Sequence, residues 1–484
     1  MLSRSKLQIC AAVASLFFAV VMTAASSQEL EISVSPSPVG SGARAAGMAD
    51  AFVAVADDAT AASWNPAGLV QLERPEISIV GSFNSIHERL SAPGHPEFRT
   101  SASDENYDLN YLSVAYPLPF LIAGRNACVS LNYQRKYDFS RSFKVDYHRS
   151  ATIGGHMRPT PLFSKTTLDF RQKGGLSTIT PAAAIELTNR LSVGLAVNLW
   201  RPSFLADNSW QQDTSYRTST FLDLTTFLGS LNTREKYEKF RGTNVTAGLL
   251  WAPTHRINIG LRYDSAFTGR TDYSSRMDFV SSLLPSLTNS SVFHDHSLQT
   301  RKERRYVRFP ASAAIGTAFR ANDRLTVSMD VTRTNWKDFY VEDSDGYRYS
   351  LVDFGRMNNT LVRPRFKPTW TVRLGAERVL IPKQPTEELG ALWSLRGGLF
   401  YDEQPATGRH QDFRRLFSYG TGKPERFYGF ALGAGVLAGR RVNIDIAYQL
   451  RFGNNVNRDL IRGVRGFSED VIQHRALIST VIYL

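Results

Sequence analysis

An all-β fold, a 14-stranded antiparallel transmembrane β-barrel with an N-terminal hatch plugging its lumen, is predicted by three observations. Stretch after stretch downstream of residue 74 alternates apolar with polar residues over the ~9–11 positions that cross an outer membrane at a tilt. The connections between these stretches alternate strictly between short and long. Ahead of them, Gly40 to Leu69 is built from small residues and closes on Asn65-Pro66-Ala67-Gly68, a breaker that neither a helix nor a central strand carries inside it.

The chain opens with Arg4 and Lys6, then a mainly apolar run from Leu7 to Ala25, then Ser26-Ser27 before Gln28. This charged, hydrophobic, small-residue order is that of a secretory signal peptide, so residues 1–27 are expected to be removed on export. The mature chain then keeps Cys128 alone, and an intramolecular disulfide is excluded. Loss of Arg4 and Lys6 lowers the formal charge from +13 to +11. Nucleic acid is the reflex partner for so basic a chain, but export argues against it. The densest basic run, Arg301-Lys302-Glu303-Arg304-Arg305, is read as meeting outer-membrane lipids and lipopolysaccharide at the rim, with a plain solvated loop equally compatible.

Residues 28–73 make up the hatch. Between Gly40 and Leu69 its only charges are Arg44, Asp50, Asp57 and Asp58. So short a segment of Ala and Gly buries too little apolar surface to hold itself together, and something must surround it. Asp57 and Asp58 are expected to cap the turn before Ala59 and to pair with arginines lining the lumen, because an enclosed carboxylate needs a partner. Asn65, Pro66, Ala67 and Gly68 either end the hatch as a simple turn or set where it touches the wall.

The barrel occupies residues 74–484, its strands running from Pro75–Asn84 to Gln473–Leu484. Leu191, Val193, Leu195, Val197 and Leu199 alternate with Ser192, Gly194, Ala196 and Asn198. Val442, Ile444, Ile446, Tyr448 and Leu450 alternate in the same way with Asn443, Asp445, Ala447 and Gln449. A soluble sandwich shows such alternation too; loop length decides against it. Connections such as Thr188 to Asn189, Arg320 to Asp323 and Gly439 are short, whereas Phe139 to Gly175, Arg201 to Gly242 and Thr268 to Arg305 are long. With an even number of strands both chain ends fall on the short-turn side, the periplasm. Two long loops carry apolar residues at spacings of 3, 4 and 3, namely Phe221, Leu224, Leu228 and Leu231, and Met277, Val280, Leu284 and Leu287. Each set predicts a short amphipathic helix, covering either the barrel mouth or its own loop's small core.

Nothing in the chain reads as catalytic. It lacks a nucleophile elbow, a phosphate-cradling glycine loop, paired cysteines and a His-Glu-x-x-His pattern, and no cofactor is implied. His294 and His296 are too few for a dedicated zinc site.

The run from Gly42 through Ala49-Asp50-Ala51-Phe52, Ala56-Asp57-Asp58-Ala59 and Asn65-Pro66-Ala67-Gly68 resembles the N-terminal hatch of the FadL/TodX-type outer-membrane transporters of long-chain fatty acids and other hydrophobic compounds. Weaker likeness continues through Pro181 to Asn198, Ala314 to Phe339 and Trp370 to Tyr401. The resemblance implies passive uptake, with greasy substrates gathered between two extracellular loops and released through a side opening gated near Asn65-Pro66-Ala67. A hydrophobic small molecule or fatty acid is then the partner, the outer membrane the location, and a monomer the expected state. Sideways release makes physical sense, because burying a sixteen-carbon chain is worth roughly 10 kcal/mol at ~0.8 kcal/mol per methylene, and an exit into water would give most of that back. A related reading, a FadL-like barrel serving as docking component for secreted proteins, shares the Trp64 that precedes Asn-Pro-Ala. Two departures stand out: the chain ends on Leu484 where such barrels end on an aromatic residue, and Tyr401 to Phe427 lacks the Pro-Asp and Arg of the family's late loop.

Overall fold

The computed structural model describes residues 41–96, 100–153, 160–222, 225–285, 293–346, 348–349, 366–381, 391–405, 423–457 and 466–484. The expected leader and the start of the hatch lie outside them. The first ten strands are β1 (Glu76–Ser91), β2 (Thr100–Pro117), β3 (Ala127–Asp138), β4 (Arg141–Ile153), β5 (Thr160–Thr188), β6 (Leu191–Trp200), β7 (Ser209–Leu222), β8 (Thr225–Thr254), β9 (Ile257–Asp264) and β10 (Phe267–Pro285). The rest are β11 (Phe293–Phe309), β12 (Ser312–Asn322), β13 (Leu325–Thr334), β14 (Tyr340–Glu342), β15 (Arg348–Tyr349), β16 (Thr369–Leu380), β17 (Ala391–Gln404), β18 (Glu425–Ala438), β19 (Val442–Val456) and β20 (Ser468–Tyr483).

Fourteen of these strands close on themselves. Around the wall the order is β1, β2, β3, β5, β6, β8, β9, β12, β13, β16, β17, β18, β19 and β20, each antiparallel to its neighbour, and β20 returns to β1. The alternation explains the closure. On β19, Ile444 and Ile446 point out and are 40% and 56% exposed, while Asp445 between them points in and is 1% exposed. Apolar outside and polar inside inverts a soluble sandwich and fits a wall solvated by lipid. Exposed Tyr116, Trp251, Phe319 and Trp393 ring the end with short turns, and Tyr107, Tyr263, Trp370 and Tyr428 ring the end with long loops. Along β17, the eight residue steps from Trp393 to Tyr401 span ~26 Å at ~3.3 Å each, the height of a bilayer's apolar band.

The long loops are built differently from the sequence expectation. Instead of helices, Phe221 lies on β7, Leu228 and Leu231 on β8, and Met277, Val280 and Leu284 on β10; Leu224 and Leu287 fall outside the described residues. The intended apolar faces also split, since Leu231 is buried whereas Phe221 and Leu228 are 50% and 39% exposed on the opposite face. Thr218-Ser219-Thr220 and Thr225-Thr226 flank these residues, and such β-branched runs pair readily on a pleated surface that has partners on both sides. β4, β5, β7, β8, β10, β11, β14 and β15 thus form one sheet continuing the wall beyond the barrel. β5 and β8, of 29 and 30 residues, belong to both parts. The inner face of this outer sheet packs Phe143, Leu168, Phe170, Tyr216, Leu231 and Phe279 with Leu90 and Phe467. Pro310, which lacks an N–H, separates β11 from β12.

Candidate functional site

Residues 41–72 sit inside the barrel as α1 (Ala43–Gly47), α2 (Ala61–Trp64) and a 3₁₀ turn, Pro66–Gln71, almost every residue buried. The segment fits because the wall makes room for it. A Cβ at Gly248 on β8 would lie 2.1 Å from Asn65 Oδ1, one at Gly194 on β6 2.3 Å from the Pro66 carbonyl carbon, and one at Gly260 on β9 2.3 Å from the Val53 oxygen. A Cβ at Gly316, Gly375 or Gly398 would lie 2.9 Å from Val53, 2.4 Å from Met48 or 2.7 Å from Ala49. These glycines are register partners, Gly194 with Gly248, Gly260 with Gly316 and Gly375 with Gly398. Sequence reasoning passed over this belt, although a lone glycine inside a strand is the signal for close approach of another backbone.

The four residues at the breaker all meet the wall or the segment itself. Asn65 Nδ2 donates to the Val53 carbonyl at 2.9 Å and to the Leu249 carbonyl of β8 at 3.0 Å, while its Oδ1 accepts the Ala67 amide at 3.2 Å and caps the 3₁₀ turn. Pro66 occupies the first turn position, where a missing N–H is harmless. Ser192 of β6 donates to the Ala67 carbonyl at 3.0 Å. A side chain at Gly68 would meet the Ala56 oxygen at 1.9 Å.

Asp57 and Asp58 are placed otherwise than expected. Their cation is Arg44 of the same segment, at 2.5 Å and 3.6 Å, not an arginine of the wall. Asp58 does cap its turn, accepting from the Thr60 amide at 2.8 Å and hydroxyl at 2.6 Å. Burial pushes the Asp58 carboxyl above its ordinary range, and Arg44 opposes that shift. The acid that reaches a wall arginine is Asp50, 3.0 Å from Arg373.

Two unlike sides face the segment. On β16 to β20 the interior is a charge network: Glu377 lies 2.8 Å from Arg44 and 2.7 Å from Arg396, and Arg396 is 2.6 Å from Asp445. Arg373 continues it to Asp402 at 3.1 Å, and Arg451 lies 3.6 Å from the same carboxylate. Arg475, 8% exposed, donates to Gln449 at 3.4 Å, while its Nε and Nη2 have no partner among the described residues. On the opposite side, toward the long loops, the interior is aromatic. Tyr137, Trp200, Phe267 and Phe309 stack with ring centroids 5.0–6.1 Å apart and near-parallel planes, and Phe139, Trp210, Tyr237, Phe240 and Phe339 close around them.

The wall is parted beside this segment. β2 and β3 are bonded only from Tyr111–Gln134 to Pro117–Cys128. Beyond Tyr111, β2 stays on β1 while Arg135 to Asp138 of β3 stay on β5. Among the described residues, side chains bridge the parting: Arg135 lies 3.3 Å from Asp108, and Asn106 donates to Asp138. At its foot is a bulge, where Val80 faces Tyr111 but Gly81 faces Leu109. The extra residue, Asn110, is fully buried, and neither atom of its amide has a partner among the described residues. Tyr111 next to it donates to the Ala59 carbonyl of the enclosed segment at 3.2 Å. On the other side of β2 from the parting, an apolar groove of about 970 Å³ runs over β1, β2 and β18 to β20, lined by Phe83, Tyr107, Leu109, Leu432, Ile446 and Ile478.

The fold and this interior can be set beside known proteins. A Pseudomonas aeruginosa FadL homologue aligns at 16% identity and TM-score 0.50, with 91% of this chain and 97% of that one covered. A TodX mutant, a monoaromatic hydrocarbon channel, aligns at 12% identity and TM-score 0.50, covering 92% and 99%. The Pseudomonas putida toluene transporter TodX gives 13% identity and TM-score 0.49, covering 93% and 98%. At such identities the likeness is one of fold. No curated protein matches. The profile of the outer membrane protein transport proteins (OMPP1/FadL/TodX) matches residues 175–459, more than half of the chain. This chain is therefore a member of the FadL/TodX family of outer-membrane β-barrel channels for hydrophobic compounds.

Proposed function

We propose that the protein takes up long-chain fatty acids or other hydrophobic molecules passively across the outer membrane, with its turn end in the periplasm, and lets them out sideways through the parting between β2 and β3. The observation that carries this reading is the coincidence of three features around β2: the β2–β3 ladder that stops at Tyr111, the Asn110 bulge without an amide partner among the described residues against the enclosed Ala59 corner, and the apolar groove on the outer face of β1 and β2. Buried backbone groups are rarely left unpaired, so a barrel that forgoes ladder bonds at one seam has a reason to open there. A molecule crossing that seam passes from an apolar interior to an apolar bilayer without entering water.

Entry follows the aromatic stack, and on the outer face of the outer sheet Phe163 and Phe221 oppose each other across β5 and β7 with 56% and 50% exposure and Leu228 nearby. These residues are the capture surface. Arg475 is the cation that meets an acidic head group, since two of its buried donors have no partner among the described residues. Residues 41–72 act as the hatch, and a shift of the Ala59 corner away from Tyr111 frees the bulge.

A disulfide across the seam tests the route. In a Cys128→Ser background, Asn106→Cys with Asp138→Cys joins β2 to β3. Uptake of a radiolabelled fatty acid by oxidised cells is expected to fall at least tenfold and to recover on reduction. Equal uptake in both redox states rules out the lateral exit.

A further inference from the structure

The basic run at residues 301–305 does not act as one patch. On β11, Arg305 turns inward, 3.3 Å from the Tyr273 ring centre and 2.9 Å from the Tyr237 hydroxyl, and Glu303 is held between Arg305 and Arg301 at 2.6 Å from each. Only Lys302 and Arg304 face out. There they join cations from two other strands that the sequence keeps far apart. Arg270 of β10 stands directly opposite Arg241 of β8, Arg304 lies one rung above and Arg308 one rung below on β11, and Lys236 and Lys302 flank Ser274 on the next rung. Arg241, Arg270 and Arg304 are all exposed.

Like charges directly opposed on adjacent strands are destabilising. Glu238, Asp272 and Arg304 form one rung of this face, Asp272 between the other two, yet neither carboxylate lies within ion-pair distance of Arg241, Arg270 or Arg304 among the described residues. The cluster starts just beyond the last barrel rung, Asp264–Ser312: Arg308 is four residues, ~13 Å along the strand, from Ser312. Tyr263, exposed one residue below that rung, marks the edge of the apolar band. The cations therefore stand above the apolar band, with Arg270 about 20 Å and Arg304 about 26 Å along their strands from the Asp264–Ser312 rung, on the side where phosphate-bearing head groups project, and guanidinium binds phosphate in bidentate fashion.

We infer that Arg241, Arg270 and Arg304, with Arg308, form a docking site for the phosphate groups of one lipopolysaccharide molecule, whose acyl chains lie against the wall below. The inference rests on the orientation given above, with the outer sheet on the cell surface.

Native mass spectrometry of the mature protein released from detergent micelles tests it, using bis-phosphorylated lipid A, dephosphorylated lipid A and phosphatidylglycerol as probes. The wild-type chain is expected to retain bis-phosphorylated lipid A at least tenfold more tightly than either of the others. The triple variant Arg241→Gln/Arg270→Gln/Arg304→Gln, checked as folded by its heat-modifiable migration, loses that preference, and Arg320→Gln/Arg324→Gln at the turn end keeps it. No preference in the wild type, or the same preference in the triple variant, overturns the site. Orientation is read separately, by labelling Ser274→Cys on intact cells with an impermeant maleimide in the Cys128→Ser background. Absence of label there contradicts the orientation alone, because the binding measurement in micelles does not depend on it.

Discussion

The two sides of the barrel interior hold the same buried segment by opposite means. Toward β16 to β20, guanidiniums and carboxylates interlock, with Glu377 shared between Arg44 and Arg396. Toward β6, β8 and β9, backbone meets backbone at Gly194, Gly248 and Gly260, and the hydrogen bonds across are to backbone carbonyls, from Asn65 to Leu249 and from Ser192, Asn258 and Arg262 of the wall to the segment. A charge network of this kind is strong only while complete, since removing one partner strands a buried charge. Close glycine contact fixes position through shape and yields when the shape changes. The difference teaches that one side holds the segment by charge and the other by close backbone fit.

Breaking the anchor is expected to have the largest effect. Arg396→Ala leaves Glu377 and Asp445 without their shared cation, and a loss of about 3–5 kcal/mol in urea unfolding from micelles follows. Gly248→Ala, on the other side, forces the Asn65 contact apart and costs about 1–3 kcal/mol in the same assay. If the two substitutions cost the same, the contrast between anchor and seat fails.

How much of this was legible beforehand follows the same division. The barrel strands were readable because lipid outside and water or protein inside impose a strict period of 2, as Ile444, Asp445 and Ile446 show. Asn65 to Gly68 were readable because Pro and Gly punctuate backbone directly. The glycine belt was not, because its members sit on six strands that only closure brings into register. The outer sheet was missed for a related reason. Spacings of 3, 4 and 3 at Phe221 to Leu231 match a helix, and nothing local reveals that β7 finds partners in β5 and β8. The arginine partners were hidden too, since Asp57 and Asp58 find Arg44 thirteen or fourteen residues away while Asp50 reaches across the barrel to Arg373.

Smaller perturbations sharpen the comparison further. Phe309→Leu thins the aromatic stack for about 1–1.5 kcal/mol of stability, and fatty-acid uptake by whole cells is expected to rise, whereas an unchanged or lower rate would take the stack off the route. Asn65→Ala removes the cap of the 3₁₀ turn and is expected to cost about 1 kcal/mol. The smallest effect belongs to the outer sheet: Arg234 and Asp213 lie 2.6 Å apart but Arg234 is 59% exposed, so Arg234→Ala should change stability by no more than about 0.5 kcal/mol.

Photo-crosslinking most directly tests whether the aromatic side and the β2–β3 seam form the path. Cells are given a fatty acid carrying a diazirine at mid-chain, irradiated during uptake, and the labelled peptides are mapped. Label is expected on Tyr137, Trp200, Phe267 and Phe309 and on Phe83, Tyr107 and Leu109 at the seam. Label confined to β16–β19, or to the turns at residues 118–126 and 253–256, would contradict the account.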